Sequence, residues 1–318
     1  MNTFNQQKSL SIIIPAYNEH ESIHELVDRI HEQVKKLAYK VEVILVSDGS
    51  TDSTYERFID RCKVLRLDYK AIKMYVNRGK ATALQHGIDA AKGDLIITMD
   101  ADLQDQPEHI TDFIKKIEQG FDVVSGWKKK RFDSKIKKNL PSRVFNFINR
   151  KVLKSDLNDI NCGFKCYRSE VFNVVELYGD FHRFIPVLAA QNGFVVGEIE
   201  VIHAARKHGE SKYGVSRFIR GIFDILTLYY LDKFSHRPLH FFGLVGLFLG
   251  FCSFIGFIML IPDFLSGQAI GSRPLFLLSI MSMLIGVQFV LMGVLAQHLE
   301  SRSRRAVKAC KIKIVSSE

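Results

Sequence analysis

Asp94-Leu-Ile-Ile-Thr-Met-Asp-Ala-Asp-Leu-Gln104 reads as a short buried strand that ends in two carboxylates, Asp100 and Asp102, with Gln104 beyond them. An apolar run of this length, entered from Gly93 and left through charge, suits the interior of a parallel sheet. Carboxylates at the carboxyl end of such a strand stand where open α/β sheets bind their ligands. Hard oxygen donors at alternate positions suit Mg²⁺ or Mn²⁺, and either ion suits a diphosphate. The same residues also fit a polar turn capping a helix that begins near Pro107. On this stretch alone both readings stand.

On either side, strand and helix alternate. The pattern predicts strands at residues 10–15, 41–47, 71–76, 94–99 and 121–125. Helices are expected over 21–37, from about Ser53, and over 80–91; in the first, Ile23, Leu26, Val27, Ile30 and Val34 fall on one face. Asp52, at the end of the turn Asp48-Gly-Ser-Thr-Asp52, is expected to cap the helix after it. Alternation of this kind predicts the α/β class with a doubly wound, mostly parallel sheet. Further strands are expected at 164–167 and 194–203. The segment Arg206-Lys-His-Gly-Glu-Ser-Lys-Tyr-Gly214, polar and punctuated by glycine, reads as a mobile loop.

Charge and apolar content are unevenly spread. The formal net charge of the 318 residues is +10, which favours an anionic partner. Residues 128–151 hold ten Lys or Arg against the single acid Asp133, and they match no recognised nucleic-acid reader motif. An anionic membrane surface or a lipid phosphate fits this stretch better. Residues 239–261 and 275–296 contain no Asp, Glu, Lys or Arg, and each is long enough to cross a bilayer core of roughly 30 Å as a helix. Between 215 and 234 apolar residues recur on one helical face, as in a helix lying at a membrane interface. The loop between the spans carries Asp263 and Arg273, whereas the tail carries Arg302, Arg304, Arg305, Lys308, Lys311 and Lys313. The positive-inside rule then places both termini and the soluble region in the cytoplasm, on the plasma (inner) membrane. The expected division is a soluble domain at 1–213, an interfacial segment at 214–236, two spans within 237–298 and a basic tail at 299–318. The polar N-terminus leads straight into a strand and shows no signal peptide. Cys62, Cys162, Cys166, Cys252 and Cys310 lack zinc-type spacing and read as free thiols in a reducing compartment.

The strand ends can work together. Pro15-Ala-Tyr-Asn-Glu19 leaves the first strand and Asp48 leaves the second, both toward the edge that holds Asp100. A carboxylate there can accept from a base N–H or a ribose hydroxyl, and a tyrosine ring can cover a base. No G-x-G-x-x-G follows a strand, and Gly79-Lys80 lacks the upstream glycine of a P-loop. What remains is a nucleoside diphosphate donor bound through a metal.

Ser11-Ile-Ile-Ile-Pro-Ala-Tyr-Asn-Glu19, Val46-Ser-Asp-Gly-Ser-Thr-Asp52 and Met99-Asp-Ala-Asp-Leu-Gln104 resemble the family 2 glycosyltransferases, which have the GT-A fold. Asp159, Asn161-Cys-Gly-Phe-Lys165 and Arg206 with Gly209-Glu-Ser-Lys-Tyr213 narrow the resemblance to polyprenyl-phosphate hexosyltransferases. These include dolichol-phosphate mannose synthase-like enzymes and, above all, bacterial polyprenyl-phosphate glucosyltransferases with two C-terminal spans. The resemblance runs in order over nearly the whole chain, without the Gln-X-X-Arg-Trp motif or the extra spans of processive synthases.

The resemblance implies a metal-dependent transferase using Mg²⁺ or Mn²⁺, with UDP-glucose favoured as donor and a polyprenyl phosphate such as undecaprenyl phosphate as acceptor. GDP-mannose or a UDP-amino sugar is the alternative donor, and no nucleic acid is implied; self-association is left open. Pro15, Ala16, Tyr17, Glu19 and Asp48 are implied at the nucleoside, with Asp100 and Ala101 beside the donor. Asp100, Asp102 and Gln104 are implied at the metal and diphosphate. Arg206, Ser211 and Lys212 are implied at the acceptor phosphate, and Asp102, Asp159, Arg206 and Lys212 carry catalysis. Relatives often have arginine where this chain has Lys128, which keeps the charge but loses the bidentate fork, so Arg131 shares the expected phosphate role. An acceptor phosphate already ionised needs no strong base, so Asp159 is expected to orient substrate rather than accept a proton. His182 and Arg183, in Phe181-His-Arg-Phe184, stand between a sugar contact and a structural role. A non-catalytic membrane scaffold is the rival from another class, and two uncharged spans make a transporter a poor fit.

Overall fold

The computed structural model describes residues 8–129, 157–175, 181–202, 204, 227, 230, 233–234 and 237–303. They form two units, an α/β domain and a pair of long apolar helices.

The α/β domain is built on a seven-stranded sheet of order β3-β2-β1-β4-β6-β5-β7. Its strands are β1 (Ser9–Ala16), β2 (Lys40–Asp48), β3 (Asp68–Met74), β4 (Leu95–Thr98), β5 (Val123–Trp127), β6 (Lys165–Arg168) and β7 (Val196–Glu200). In β1, Ile12 and Ile14 face one core cluster and Ile13 the other, as the two-residue period of a strand requires. On the first face lie α1 (Ile23–Val34), α2 (Thr54–Leu65) and α4 (Ile110–Glu118), anchored by Leu26, Ile30, Phe58, Phe113 and Ile117. On the second lie α3 (Lys80–Ala90) and α5 (Ile185–Gln191), through Leu84, Ile88, Ile185 and Ala189. Helices therefore cover both faces, and α3 approaches so closely that a Cβ at Gly87 would stand 2.4 Å from Ile13 Cγ2.

Two features differ from the sequence pattern. The third strand begins and ends earlier than expected, because β3 is an edge strand whose Asp68-Tyr-Lys70 start looks like loop. Its expected end, Tyr75-Val76, is exposed instead. More important, β6 runs antiparallel to both β4 and β5, with Thr98 opposite Lys165 and Val124 opposite Cys166. The start of β6, rather than its end, thus reaches the carboxyl edge of the parallel strands.

In the second unit, α6 (Pro238–Leu265) and α7 (Pro274–Ser303) form an antiparallel hairpin. Small residues line its seam: a Cβ at Gly246 would meet Gly286 O at 2.6 Å. Ser253 Oγ donates to Ser279 O at 2.7 Å, and Ser282 Oγ to Leu249 O at 2.9 Å. Such close backbone approach and interhelical hydrogen bonding suit helices in lipid. Only 22% and 11% of the most apolar stretches of the two helices are buried, unlike the core helices of a soluble protein. Both helices are long and apolar enough to cross a membrane. Most of the expected interfacial helix at 214–236 and the tail beyond Ser303 lie outside the described residues.

Candidate active site

The carboxyl ends of β1, β2 and β4 bring Pro15, Ala16, Asp48, Asp100 and Asp102 to one edge. Asp48, 5% exposed, accepts the backbone N–H of Arg78 at 2.7 Å and of Gly79 at 2.9 Å. It thereby fixes the loop that opens α3 at Lys80. Gly49 makes this possible: at φ +70°, a Cβ there would stand 2.5 Å from Asn77 N. Beyond β1, Asn18 (φ +56°) turns the chain so that its Oδ1 accepts the Thr51 N–H at 2.9 Å. The Glu19 N–H donates to Thr54 Oγ1 at 2.8 Å. Ser53, rather than the expected Asp52, is the N-cap of α2; Asp52, one residue earlier, accepts the Thr54 N–H at 3.0 Å, and His20 Nδ1 lies 2.8 Å from its other oxygen. Burial raises the Asp52 pKa, but the hydrogen bonds from Thr54 and His20 outweigh it and hold it below the ordinary value.

Lys80, delivered by the Asp48 clamp, forms an ion pair with Asp100. Burial pushes the Asp100 pKa up, but Lys80 and then Lys128 overcome it and bring the value down to about 2. The Asp100 side chain nevertheless keeps 33% exposure. Its backbone N–H donates to Asp105 Oδ2 at 3.2 Å, and Asp105 Oδ1 lies 2.9 Å from Lys128 Nζ. Lys128, whose side chain is 10% exposed, is therefore tied to Asp105, and that partner keeps its pKa raised in spite of desolvation. Asp102, 8% exposed, accepts the Gln104 N–H at 3.2 Å across the Leu103 residue at φ +62°. Gln104 in turn pairs with Ala204: the Ala204 N–H donates to Gln104 O at 3.1 Å and Gln104 Nε2 to Ala204 O at 3.5 Å.

The reversed β6 brings the 157–164 segment to the same edge. A Cβ at Gly163 would stand 2.9 Å from both Asp100 Oδ2 and Lys80 Nζ, so this backbone lies against the ion pair. Asp159, 2% exposed, accepts the Asn161 N–H at 3.2 Å. Glu198 on β7 accepts the N–H of Asn158 and of Asp159 at 2.9 and 3.0 Å. His182 lies on a short 3₁₀ turn, Phe181–Arg183, that packs against α3. Burial first, then Lys80, Arg183 and Lys165, push its pKa well below the ordinary value, so the ring is neutral at pH 7.

Asp100 is ionised far below neutral pH and stands one residue from Asp102, with the Gln104 amide beyond. Among the described residues no three His, Cys, Asp or Glu side chains converge as a metal cage. Two carboxylates suffice for Mg²⁺ or Mn²⁺ when substrate phosphates complete the shell, so this donor set fits such an ion.

Residues 11–175 match the glycosyl transferase family 2. The chain is also 36% identical over 303 residues to the dodecaprenyl-phosphate galacturonate synthase of Rhizobium johnstonii, across 92% of this chain and 88% of that protein. The chain belongs to glycosyltransferase family 2. A second relative in this family is the undecaprenyl-phosphate 4-deoxy-4-formamido-L-arabinose transferase of Proteus mirabilis. It is 33% identical over 301 residues, across 94% of this chain and 90% of that one. Among solved structures, glucosyl-3-phosphoglycerate synthase from Mycobacterium tuberculosis, in complex with Mn²⁺, UDP-glucose and phosphoglyceric acid, superposes with a TM-score of 0.53. The identity is 15%, across 71% of this chain and 79% of that one, and the likeness speaks for the fold.

In this family 2 glycosyltransferase the expected Pro15, Ala16, Tyr17, Glu19, Asp48, Asp100, Ala101, Asp102, Gln104, Lys128 and Asp159 are all described, whereas Arg131, Arg206, Ser211 and Lys212 lie outside the described residues. Four groups at this edge have no role that the sequence pattern alone assigns. Lys80 stands out in sequence only within Gly79-Lys80, which lacks the upstream glycine of a P-loop. Asp105, Lys165 and Glu198 resemble solvated charges in sequence, and only their burial or hydrogen bonds mark them.

Proposed function

We propose that this enzyme, a polyprenyl-phosphate glycosyltransferase, moves a hexose from a uridine diphosphate donor to undecaprenyl phosphate at the cytoplasmic membrane face, inverting the anomeric carbon. The observation that carries the proposal is the Asp100 edge: two acids at a strand end, faced by Lys80 and Lys128. The same chain carries two helices apolar enough to anchor it in a membrane. The two relatives are named for lipid-phosphate acceptors of the same kind.

In this reading Pro15, Ala16, Tyr17, Glu19 and Asp48 hold the nucleoside, Asp48 doing so partly by fixing the Arg78–Gly79 loop. Asp100, Asp102 and Gln104 hold Mg²⁺ or Mn²⁺, which when bound neutralises the departing diphosphate. Lys80 is ready to turn from Asp100 to a donor phosphate, and Lys128 keeps the turn positively charged. Arg206, Ser211 and Lys212 meet the acceptor phosphate. The Gln104–Ala204 pairing supports this, because it anchors the segment before Arg206 beside the Asp-X-Asp turn. Asp159 orients the sugar or the acceptor. If Asp159→Asn regained activity only at a pH high enough to replace a missing base, a proton-accepting role would be right instead.

UDP-glucose is the donor favoured by the sequence reading, while the relatives are named for galacturonate and for 4-deoxy-4-formamido-L-arabinose. The deciding experiment incubates purified protein with Mg²⁺ or Mn²⁺, undecaprenyl phosphate, and UDP-glucose, UDP-galacturonate, UDP-4-deoxy-4-formamido-L-arabinose or GDP-mannose in turn. Glycolipid from one donor identifies the sugar; no product from any donor sinks the proposal.

A further inference from the structure

Lys165 opens β6 with 2% exposure, and its ammonium donates to three main-chain carbonyls. These are Arg183 O at 3.1 Å, Ile160 O at 3.2 Å and His182 O at 3.5 Å. All three acceptors are neutral. Burying an ammonium in this way is costly, and an apolar side chain of similar length would fill the space at less cost. The charge therefore calls for a reason other than packing.

The carbonyls belong to two separate segments that flank the Asp100–Lys80 pair. Ile160 follows Asp159, while His182 and Arg183 form the turn against α3. The Asp159 turn is held from its other side by Glu198, which accepts the Asn158 N–H and side-chain amide at 2.9 Å and the Asp159 N–H at 3.0 Å. A carboxylate and an ammonium thus grip peptide groups of one turn, the first by the N–H groups of Asn158 and Asp159 and the second by the C=O of Ile160.

We propose that Lys165 is a positioning residue for sugar transfer: it locks Asp159 against the His182–Arg183 turn and holds a positive charge at the strand position opposite Thr98, two residues before Asp100. The proposal rests on reading this edge as a transferase site. Preorganised charge in a place that excludes water acts on the departing diphosphate without reorganisation. The groups facing Lys165 are Cys162 and Asp159 from its own approach segment, Lys80 from α3, and His182 and Arg183 from the turn. Burial, the largest of these influences, draws its pKa down to about 8, so the ammonium is present at pH 7 and lost on the alkaline side.

The test compares full-length wild type, Lys165→Met and Glu198→Gln with the donor that gives product and with undecaprenyl phosphate. Lys165→Met is expected to lose about 100-fold in kcat, as misplaced reacting groups do, while donor KM stays within about threefold. The wild-type kcat should decline with a midpoint near the Lys165 value of about 8, a decline absent from the variant. In an Asp159→Ala background the same substitution should cost less than about tenfold, because the two act as a unit. Wild-type kcat in Lys165→Met, or equal losses with and without Asp159, overturns the proposal. If Lys165→Met does not fold, Glu198→Gln decides: a kcat loss that vanishes in the Asp159→Ala background supports the brace, and any other result overturns it. A wild type that transfers no sugar sinks the functional reading and this one together. Transfer by the wild type with unchanged variants sinks this one alone.

Discussion

At the amino edge of the sheet Glu42, 8% exposed, accepts from Ser11 Oγ at 2.6 Å and from the Lys92 N–H at 2.7 Å, while Lys70 Nζ lies 2.7 Å from its other oxygen. At the carboxyl edge Asp100 also sits beside a lysine, yet its side chain keeps 33% exposure and its surroundings include a further cation, Lys128. The first arrangement is closed on itself and fixes how β1, β2 and β3 meet the corner before β4. The second is strongly ionised and open, so it can exchange an internal partner for a ligand. Similar chemistry is thus closed on itself at one edge and open at the other.

Substitutions at the two edges should separate these roles. Asp102→Ala should lower kcat/KM by about 1000-fold or more, the order expected when charge stabilisation of a transition state is removed. Its thermal midpoint should stay near wild type, and a large fall would make Asp102 structural. Lys80→Met should lose about 100-fold in the same transfer assay, again with the fold intact. Glu42→Ala should do the reverse, costing about 2 kcal/mol in denaturant unfolding of the kind seen when charged hydrogen bonds are lost, with kcat unchanged. Equal activity losses in Glu42→Ala and Lys80→Met would erase the distinction between the edges.

The smallest effect is a pH dependence. Asp100 has a folded pKa of about 2, below the ordinary value of about 3.9. A depressed carboxyl pKa stabilises the fold above the unfolded value, and that stabilisation is lost as pH falls through the folded one. Removing Lys80, its strongest cationic neighbour, should therefore flatten the fall of the thermal midpoint between about pH 4 and 2. An unchanged acid limb would mean that Lys80 does not set this titration.

Much of the domain was legible in sequence because β1, β2 and β4 are apolar on both faces, and because helices such as α1 show one clean stripe. The start of β3 was not, since an edge strand carries charges that mimic a loop. Nor was the direction of β6: four residues of mixed character do not say which neighbour they pair with or in which sense. In the site, acids at strand ends announced themselves by position, as with Asp48 and Asp100. Lys165 and Glu198 did not, because their meaning comes from main-chain groups brought together only by folding. A lysine followed by Cys-Tyr-Arg gives no hint that its ammonium will be enclosed.

The reversed strand also sets an order of events. β4 and β5 do not pair with each other; β6 stands between them. While the chain is being made, β4 can add to β1 at once, but its other edge has no partner until Lys165–Arg168 has emerged. Open strand edges of that kind invite wrong pairing, and distant pairings form late. The half of the site built on Pro15 and Asp48 can therefore take shape well before the half that carries Asp159. Insertion of β6 is the step at which a nascent, aggregation-prone sheet becomes an enzyme.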